Sequence, residues 1–349
     1  MGLGGLRRFR ADRRLAVDLG TANTVVYQRG RGVVAFEPSV VAVDERTGDV
    51  YAVGAEARRM IGRTPAHITA TRPLRHGVIA DFEITEQMLR YFIRSAFNRV
   101  GASAEVIVCV PSGVTQVERS AVEEATLAAG ASRAHLIEEP LAAAIGAELP
   151  VAESVGSLVV DVGGGTSEMA VTALGGMVVS HSVRIGGYDL DDAIVKLLQD
   201  TQRLLIGQEQ AEAVKLEIGG ALEGGGGPQV AEVAGRDLAT GLLRRTSIEK
   251  IAVCAALQRP LAQIIEGVEL VLERTPPELS ADIADRGLML VGGGALLPGL
   301  DQLLRRRTGL AVTTTEDPLT TVARGAGMAL EELHQLPTAR RSRRRRRHR

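Results

Sequence analysis

The sequence contains no tryptophan, only two cysteines and no run of about 18 uncharged apolar residues. Cys109 and Cys254 lie within apolar segments, where a thiol behaves as a small hydrophobic group, so neither a disulfide framework nor a zinc site is expected. The N-terminal residues also lack the apolar stretch and cleavage pattern of a signal peptide. These absences argue against membrane-spanning and disulfide-rich secreted proteins and predict a cytoplasmic one.

Charge is distributed unevenly, although the net charge of the 349 residues is only −1. The first fourteen residues hold five arginines against Asp12, and the last eleven hold eight arginines. The body between them has 28 basic and 41 acidic groups. We therefore expect a basic leader at 1–14 and a disordered arginine-rich tail at 339–349, and, because single apolar cores stop growing near about 250–300 residues, two domains between them.

Two segments with the same pattern each predict a strand, a tight turn and a second strand. The first, LAVDLGTANTVVY, spans residues 15–27, and the second, SLVVDVGGGTSEMAVTAL, spans 157–174. Asp18 and Asp161 stand at matching positions, each at the end of a buried strand and just before small turn residues. A third glycine turn follows a strand in GLMLVGGGALLPGL at 287–300.

These turns suit a triphosphate, which needs backbone N–H groups close to it together with a cation, because glycine permits both the approach and the unusual dihedrals. No GxxxxGK[ST] motif is present, so a Walker-type loop is excluded. Aspartate and glycine are also favoured in ordinary turns. The repetition of the pattern in both halves nevertheless favours function, and it predicts two turns that grip one magnesium-bound ATP from opposite sides.

Between the glycine turns, helical and strand patterns alternate, as in an α/β protein. Apolar residues at helical spacing over 85–99 precede the strand-like residues 106–111, and a second helical pattern from Val114 ends at Gly130. The glycine-rich stretch 219–227 is interpreted as a surface loop.

Several longer motifs, together with the hairpins, resemble the bacterial actin homologues MreB and Mbl from Leu15 to His334. They are RPLRHGVIADFEITEQMLRYFI at 72–93, LIEEPLAAAIGA at 136–147, TPPELSADIADRG at 275–287 and VGGGALLPGLDQLL at 291–304. The resemblance implies an α/β, actin-like (duplicated ribonuclease H-like) fold of two lobes with a nucleotide cleft, each lobe having a larger and a smaller subdomain. The implied divisions are a first lobe at 15–149 with its small subdomain near 40–80, a second lobe at 150–321 with its small subdomain near 189–245, and a C-terminal helix at 322–338 that returns to the first lobe.

The resemblance also implies which residues contact ATP. They are Asp18, Gly20, Thr21, Ala22 and Asn23 in the first turn, Gly163, Gly164, Gly165 and Thr166 in the second, and Gly293, Gly294, Ala295 and Leu296 in the third. Asp18 and Asp161 would hold Mg²⁺ through water, since this ion keeps most of its waters. Asp161 and Thr166 would also serve catalysis.

Three further residues acquire roles from the resemblance. Glu138 would orient or deprotonate the attacking water, whereas from the sequence alone it is a carboxylate at a helix N-terminus. Glu212 and Lys215, three residues apart on a helical stretch, would by themselves form an exposed ion pair, but the resemblance places both against the adenosine. A lysine there is informative because the chain has only three.

The chain departs from the family pattern in two places. Tyr188 stands at the usual aspartate position of IGGYDLDD, so either Asp189 or Asp191 compensates or the lobe closes differently. The loop at 98–105 lacks the large apolar pair that many members insert into the membrane. The leader, with Leu3, Leu6 and Phe9 among arginines, fits a short interfacial helix or a flexible segment, and the arginine-rich tail fits an anionic lipid surface, nucleic acid, an acidic neighbouring subunit or solvent.

The implied function is that of a cytoskeletal ATPase. Such a protein polymerises with ATP into filaments at the inner face of the cell membrane, hydrolyses the ATP slowly, organises peptidoglycan synthesis and determines cell shape. Its partners would be other copies of itself, in paired protofilaments, and wall-elongation membrane proteins of the MreC, MreD and RodZ type; nucleic acid is not expected. A heat-shock-type chaperone ATPase or a sugar kinase would share the fold, but the sequence shows neither a substrate-binding domain after the lobes nor a motif for a sugar-activating carboxylate.

Overall fold

The computed structural model describes residues 14–97, 104–222 and 227–331. Its strands are β1 (Arg14–Leu19), β2 (Asn23–Gln28), β3 (Gly32–Pro38), β4 (Val41–Asp44), β5 (Val50–Val53), β6 (Ile68–Thr71), β7 (Leu74–Arg75), β8 (Val78–Ile79), β9 (Ala104–Val110), β10 (Ala131–Glu138), β11 (Ser157–Val162), β12 (Ser167–Ala173), β13 (Gly176–Val183), β14 (Leu204–Leu205), β15 (Val230–Asp237), β16 (Leu243–Glu249), β17 (Leu288–Val291) and β18 (Val312–Thr314). Its α-helices are α1 (Ala55–Met60), α2 (Phe82–Phe97), α3 (Gln116–Ala128), α4 (Glu139–Gly146), α5 (Gly187–Gln202), α6 (Gln208–Ile218), α7 (Lys250–Arg274), α8 (Pro277–Arg286), α9 (Leu300–Thr308) and α10 (Thr321–Ala329). A 3₁₀-helix covers Gly293–Leu296.

The described residues form two units. Unit 1 contains residues 14–155, 172–178 and 319–331, and unit 2 contains 156–171 and 179–318, apart from the gaps given above. The basic leader lies almost entirely, and the arginine-rich tail entirely, outside the described residues.

Unit 1 is built on a five-stranded sheet in the order β10-β9-β1-β2-β3. Strands β10, β9 and β1 are parallel, whereas β1, β2 and β3 form an antiparallel meander. Strands β9 and β1 are buried on both faces and therefore consist mainly of apolar residues, such as the run VIVCV within β9, whereas β10 at the sheet edge is partly exposed. The carboxyl ends of the parallel strands lie at one edge of the sheet, where Asp18 and Glu138 are found. A smaller sheet, β5-β4-β6, packs against α1 around its own apolar cluster.

Unit 2 has a second five-stranded sheet, in the order β13-β12-β11-β17-β18, and a three-stranded sheet, β14-β15-β16. Strands β11, β17 and β18 are parallel, so Asp161 near the end of β11 and the third glycine turn after β17 share one sheet edge. By length and composition α7 could cross a membrane, but half of its most apolar stretch is buried. Its buried side chains belong to the core of unit 2, as is normal for a core helix of a globular domain.

The secondary structure predicted around the motifs is confirmed. Both Asp-containing segments form strand–turn–strand hairpins, and the two predicted helices are α2 and α3. Gly130 lies just beyond the last residue of α3 with φ of +108°, the left-handed region that glycine enters without a steric penalty at helix ends.

One sequence interpretation is wrong in part. Residues 219–221 of the predicted surface loop are buried. Their burial is possible because neighbouring groups form hydrogen bonds with the backbone of this segment. The N–H of Ala221 donates to the carbonyl oxygen of Pro298 at 2.8 Å, and the Gln258 side chain donates to the carbonyl of Ala221 at 3.0 Å. Residues 223–226 of the same stretch lie outside the described part of the chain.

Candidate functional site

The first hairpin turn joins β1 to β2 in unit 1 and contains the residues expected there. Asp18 sits between Val25 of β2 and Cys109 of β9. The residue is only partly exposed, and burial raises the pKa of its carboxyl to about 7. In the described residues no arginine or lysine forms an ion pair with it, so a cation is the group that would stabilise its ionised form.

The tip of this turn presents unbonded donors. Among the described residues, no acceptor is found for the backbone N–H groups of Thr21 and Ala22. The hydroxyl of Thr21 accepts a hydrogen bond from the N–H of Gly77 at 2.9 Å, which ties the side chain to the turn between β7 and β8. Free N–H groups beside glycine are what an anion-binding turn requires.

Ser39 supports the first turn from outside the hairpin, and the sequence motifs do not identify it. Its fully buried hydroxyl donates to the carbonyl of Gly20 at 2.6 Å, and its N–H donates to the carbonyl of Ala22 at 2.9 Å. The hydroxyl also lies 2.8 Å from that of Thr24. Ser39 follows β3, and a single serine at a strand end gives no signal in sequence that it reaches back to another turn.

The second hairpin turn joins β11 to β12 in unit 2. Asp161 and Thr166 are each only 6% exposed. The turn is closed by a hydrogen bond from the N–H of Gly163 to the carbonyl of Thr166 at 2.9 Å, and no acceptor within the described part of the chain is assigned to the N–H of Gly164. The two turns are thus alike in their aspartate, their small residues and their available donors.

The segment that begins α5 packs directly against the second turn. The N–H of Gly187 donates to the carbonyl of Gly163 and that of Tyr188 to the carbonyl of Gly164, both at 2.9 Å. Gly186 permits this approach, since a Cβ there would lie 2.7 Å from the backbone of each of the three glycines at 163–165. Tyr188, the residue that departs from the family pattern, therefore acts on the turn through its backbone.

The two acids named as possible compensation for Tyr188 have other partners. Asp189 accepts a hydrogen bond from the N–H of Gly186 at 2.8 Å and so caps the N-terminus of α5. Asp191, only 2% exposed, forms an ion pair with Lys215 at 2.8 Å. Burial raises the pKa of the Asp191 carboxyl to about 6, although the charge of Lys215 opposes that shift.

Lys215 and Glu212 both lie on α6. The side chain of Lys215 is only 13% exposed, and its ammonium also donates to the carbonyl of Gly187 at 3.0 Å. The alternative of an exposed ion pair does not hold for Lys215, which lies against α5. The expected contacts of both residues with adenosine stay a prediction.

The third glycine turn contacts the second through Gly292, which was not among the residues predicted to contact ATP. Gly292 has φ of +79°, and a Cβ on it would lie 2.2 Å from Oδ1 of Asp161 and 2.6 Å from the carbonyl oxygen of Val162. Gly294 packs against the Val162 side chain, while the following residues to Leu296 continue the 3₁₀-helix. Gly293, Gly294, Ala295 and Leu296 are thus placed beside the strand that bears Asp161.

Gly292→Ala is expected to displace the Asp161 carboxylate and to weaken nucleotide binding by at least about tenfold. The control is Gly309→Ala, because Gly309 has φ of +75° but a Cβ on it would meet no atom within 4 Å. Gly309→Ala carries the left-handed strain of about 1–2 kcal/mol. Gly292 has ψ of 175°, a region essentially confined to glycine, so Gly292→Ala carries backbone strain of about 1–3 kcal/mol and an overpacking cost of about 1–3 kcal/mol. Urea unfolding measures the stability of each variant, and ATP titration measures its nucleotide affinity. Equal losses of affinity in the two variants would show that the contact with Asp161 is unimportant.

Glu138 ends β10 and occupies the N-cap position of α4, where it makes no side-chain capping bond. Its carboxylate is instead paired with the guanidinium of Arg119 from α3. The sheet register places Glu138 beside Val110, one residue beyond the Cys109 that adjoins Asp18. The parallel strands of unit 1 thereby bring Asp18 and Glu138 to the same sheet edge, where α/β proteins commonly bind ligands.

The donor set suits magnesium held through water. Within the described residues no group of three or more His, Cys, Asp or Glu side chains is placed to hold a metal alone. Each hairpin instead offers one aspartate beside free backbone donors, and Mg²⁺ characteristically binds through one or two carboxylates together with water and phosphate oxygens. Within its own unit, each of Asp18 and Asp161 fits that role.

Comparison with known proteins gives one family. The family model described as MreB/Mbl protein matches residues 12–338. The cell shape-determining protein MreB of Escherichia coli K12 is 51% identical over 334 residues, covering 93% of this chain and 96% of that protein. The cell shape-determining protein Mbl of Bacillus subtilis is 43% identical over 327 residues, covering 93% and 98%.

A solved structure supports the same assignment. The crystal structure of MreB5 of Spiroplasma citri bound to ADP matches with a TM-score of 0.87 and 34% identity, covering 93% of this chain and 98% of that one. These matches confirm the actin-like α/β fold that the motifs implied. The chain belongs to the MreB/Mbl family.

Proposed function

We propose that this protein binds and slowly hydrolyses ATP through its two hairpin turns and assembles with ATP into cytoskeletal filaments. The observation that carries the proposal is the pair of turns, each with an aspartate at the end of a buried strand and backbone donors without an acceptor in the described chain. Family membership and the binding of ADP and AMPPNP by MreB5 of Spiroplasma citri support it.

The turns would bind the ATP phosphates through backbone N–H groups, with Asp18 and Asp161 holding Mg²⁺ through water. When bound, magnesium would neutralise the charge of the phosphate oxygens. Glu138 would orient or deprotonate the attacking water, held in place by Arg119. Phosphoryl transfer depends mainly on positioning and charge stabilisation, which buried strand ends and fixed turns supply.

The cellular role would be that of a cell shape determinant. Filaments of this chain would lie at the cytoplasmic face of the cell membrane and organise peptidoglycan synthesis with wall-elongation membrane proteins of the MreC, MreD and RodZ type. Filaments would form by self-association as paired protofilaments, with hydrolysis controlling their lifetime. Nucleic acid is not proposed as a partner.

Sedimentation and electron microscopy of the full chain test this function. We expect filaments that pellet with Mg²⁺ and ATP, fewer with ADP, and none once EDTA removes the metal. In a parallel arm with liposomes containing anionic lipid, the filaments should float with the vesicles. Identical sedimentation with ATP, with ADP and without nucleotide would contradict ATP-dependent assembly, and filaments that remain below the vesicles would exclude the membrane contact.

A further inference from the structure

Lys215 is joined to the second hairpin turn by a continuous chain of hydrogen bonds. Its ammonium donates to the carbonyl oxygen of Gly187 at 3.0 Å. That carbonyl belongs to the same peptide group as the N–H of Tyr188, which donates to the carbonyl of Gly164 at 2.9 Å. The carbonyl of Gly164 in turn shares its peptide group with the N–H of Gly165, one of the expected phosphate contacts.

The geometry of the peptide group determines how this series of hydrogen bonds orients the turn. In a trans peptide the C=O and N–H bonds point to opposite sides, and no cis peptide occurs in the described residues. A donor that fixes the carbonyl of Gly164 on one side therefore fixes the N–H of Gly165 on the other. The N–H of Gly187, which donates to the carbonyl of Gly163, orients the N–H of Gly164 in the same way.

The charge of Lys215 strengthens this series of hydrogen bonds. Hydrogen bonds in sequence polarise one another, and a bond from an ionised donor is stronger than one between neutral groups. The ammonium also forms an ion pair with Asp191, whose side chain is 2% exposed and whose Oδ1 lies 2.8 Å away. A Cβ on Gly187 would lie only 3.5 Å from the ammonium nitrogen, so the lysine is packed against this peptide.

We propose that Lys215 is a positioning residue for the second hairpin turn, acting through the Gly187–Tyr188 peptide to fix the Gly164–Gly165 peptide and so aim the N–H group of Gly165 at the bound phosphates. The identity of that anion as ATP rests on the proposed function. The orientation of the turn does not depend on the proposed function, because the hydrogen bonds are present in the protein without nucleotide. This role differs from direct contact with adenosine, which the family resemblance implied for Lys215.

Three variants separate the positioning role from the stability of the ion pair. Lys215→Met keeps a long apolar side chain but removes the donor, and leaves the buried Asp191 carboxylate without its cation. The double variant Lys215→Met with Asp191→Asn removes that unpaired charge as well, so it tests the same lost donor if the single variant does not fold. Asp191→Asn is the control, because Lys215 still donates to Gly187.

The first measurement is hydrogen exchange in the nucleotide-free protein. Loss of the lysine donor is expected to speed exchange of the amides of Gly187 and Tyr188 about tenfold, while Asp191→Asn changes it by less than about threefold. Unchanged exchange in both variants that lack the lysine would overturn the proposal. This outcome is independent of whether the protein binds ATP.

The second measurement compares ATP with AMP by calorimetry, and it distinguishes phosphate positioning from adenosine contact. If Lys215 positions the turn, its loss lowers the ratio of ATP to AMP affinity by about tenfold. An equal fall for both ligands would overturn the proposal in favour of adenosine contact. Failure of the unmodified protein to bind ATP would refute the proposed function instead, and the exchange result would then decide the inference alone.

Discussion

Asp161→Ala is expected to weaken magnesium-dependent ATP binding by about 10–100-fold, because its carboxylate would act on Mg²⁺ through a bound water, and residues that act through a metal's ligands contribute about that much. Asp161 ends a buried strand, is 6% exposed and is enclosed on one side by Gly292. Its carboxylate is therefore fixed before any ligand arrives, and the alanine variant removes its charge from that position. Assembly with ATP should be lost to the same degree.

Two controls separate this loss from general damage. Asp161→Asn keeps the shape that packs beside Gly292 and removes only the charge, so it should behave like the alanine variant in ATP titrations. Asp200→Ala removes an exposed aspartate of α5 in the same unit and should leave binding unchanged. ATP binding and filament formation that survive both Asp161 substitutions would show that the second hairpin is not the phosphate site.

The parts of the fold that sequence predicts well are those set by local pattern. The two hairpins, α2, α3 and the strand before the third glycine turn are confirmed because alternating or helically spaced apolar residues and turn residues lie next to each other in the chain. Residues 219–221 were interpreted wrongly for the converse reason. Glycines indicate a turn locally, but whether the turn is buried depends on Pro298 and Gln258, which are distant in sequence.

The same distinction between local pattern and distant contact applies to the candidate site. The aspartates and small residues of the turns are visible in sequence because each turn carries its own motif. The groups that hold those turns are not: Ser39 supports the first, Gly292 contacts Asp161, and Arg119 pairs with Glu138. Each acts across a contact between separate elements, so a single sequence contains no spacing that would reveal it.

Glu138→Ala is expected to slow ATP turnover by about 10²–10⁴-fold while ATP affinity changes by less than about threefold. The carboxylate lies at the end of β10 without a capping bond and is oriented by Arg119, so it is placed to accept a proton or a hydrogen bond rather than to stabilise its helix. Single-turnover phosphate release, with ATP binding measured separately, tests this. Unaltered turnover would remove Glu138 from the proposed chemistry.

Glu138→Gln distinguishes the two ways in which Glu138 could act on water. Glutamine retains an oxygen that accepts a hydrogen bond, both from water and from Arg119, but it is neutral and does not take up a proton. Turnover close to that of the unmodified protein would mean that Glu138 only orients the water, whereas a loss as large as that of Glu138→Ala would require the carboxylate itself.

Arg119→Gln then completes the comparison, because the arginine acts in this role through the Glu138 carboxylate. Its removal should slow turnover less than Glu138→Ala does, since the acceptor remains and only its orientation is relaxed.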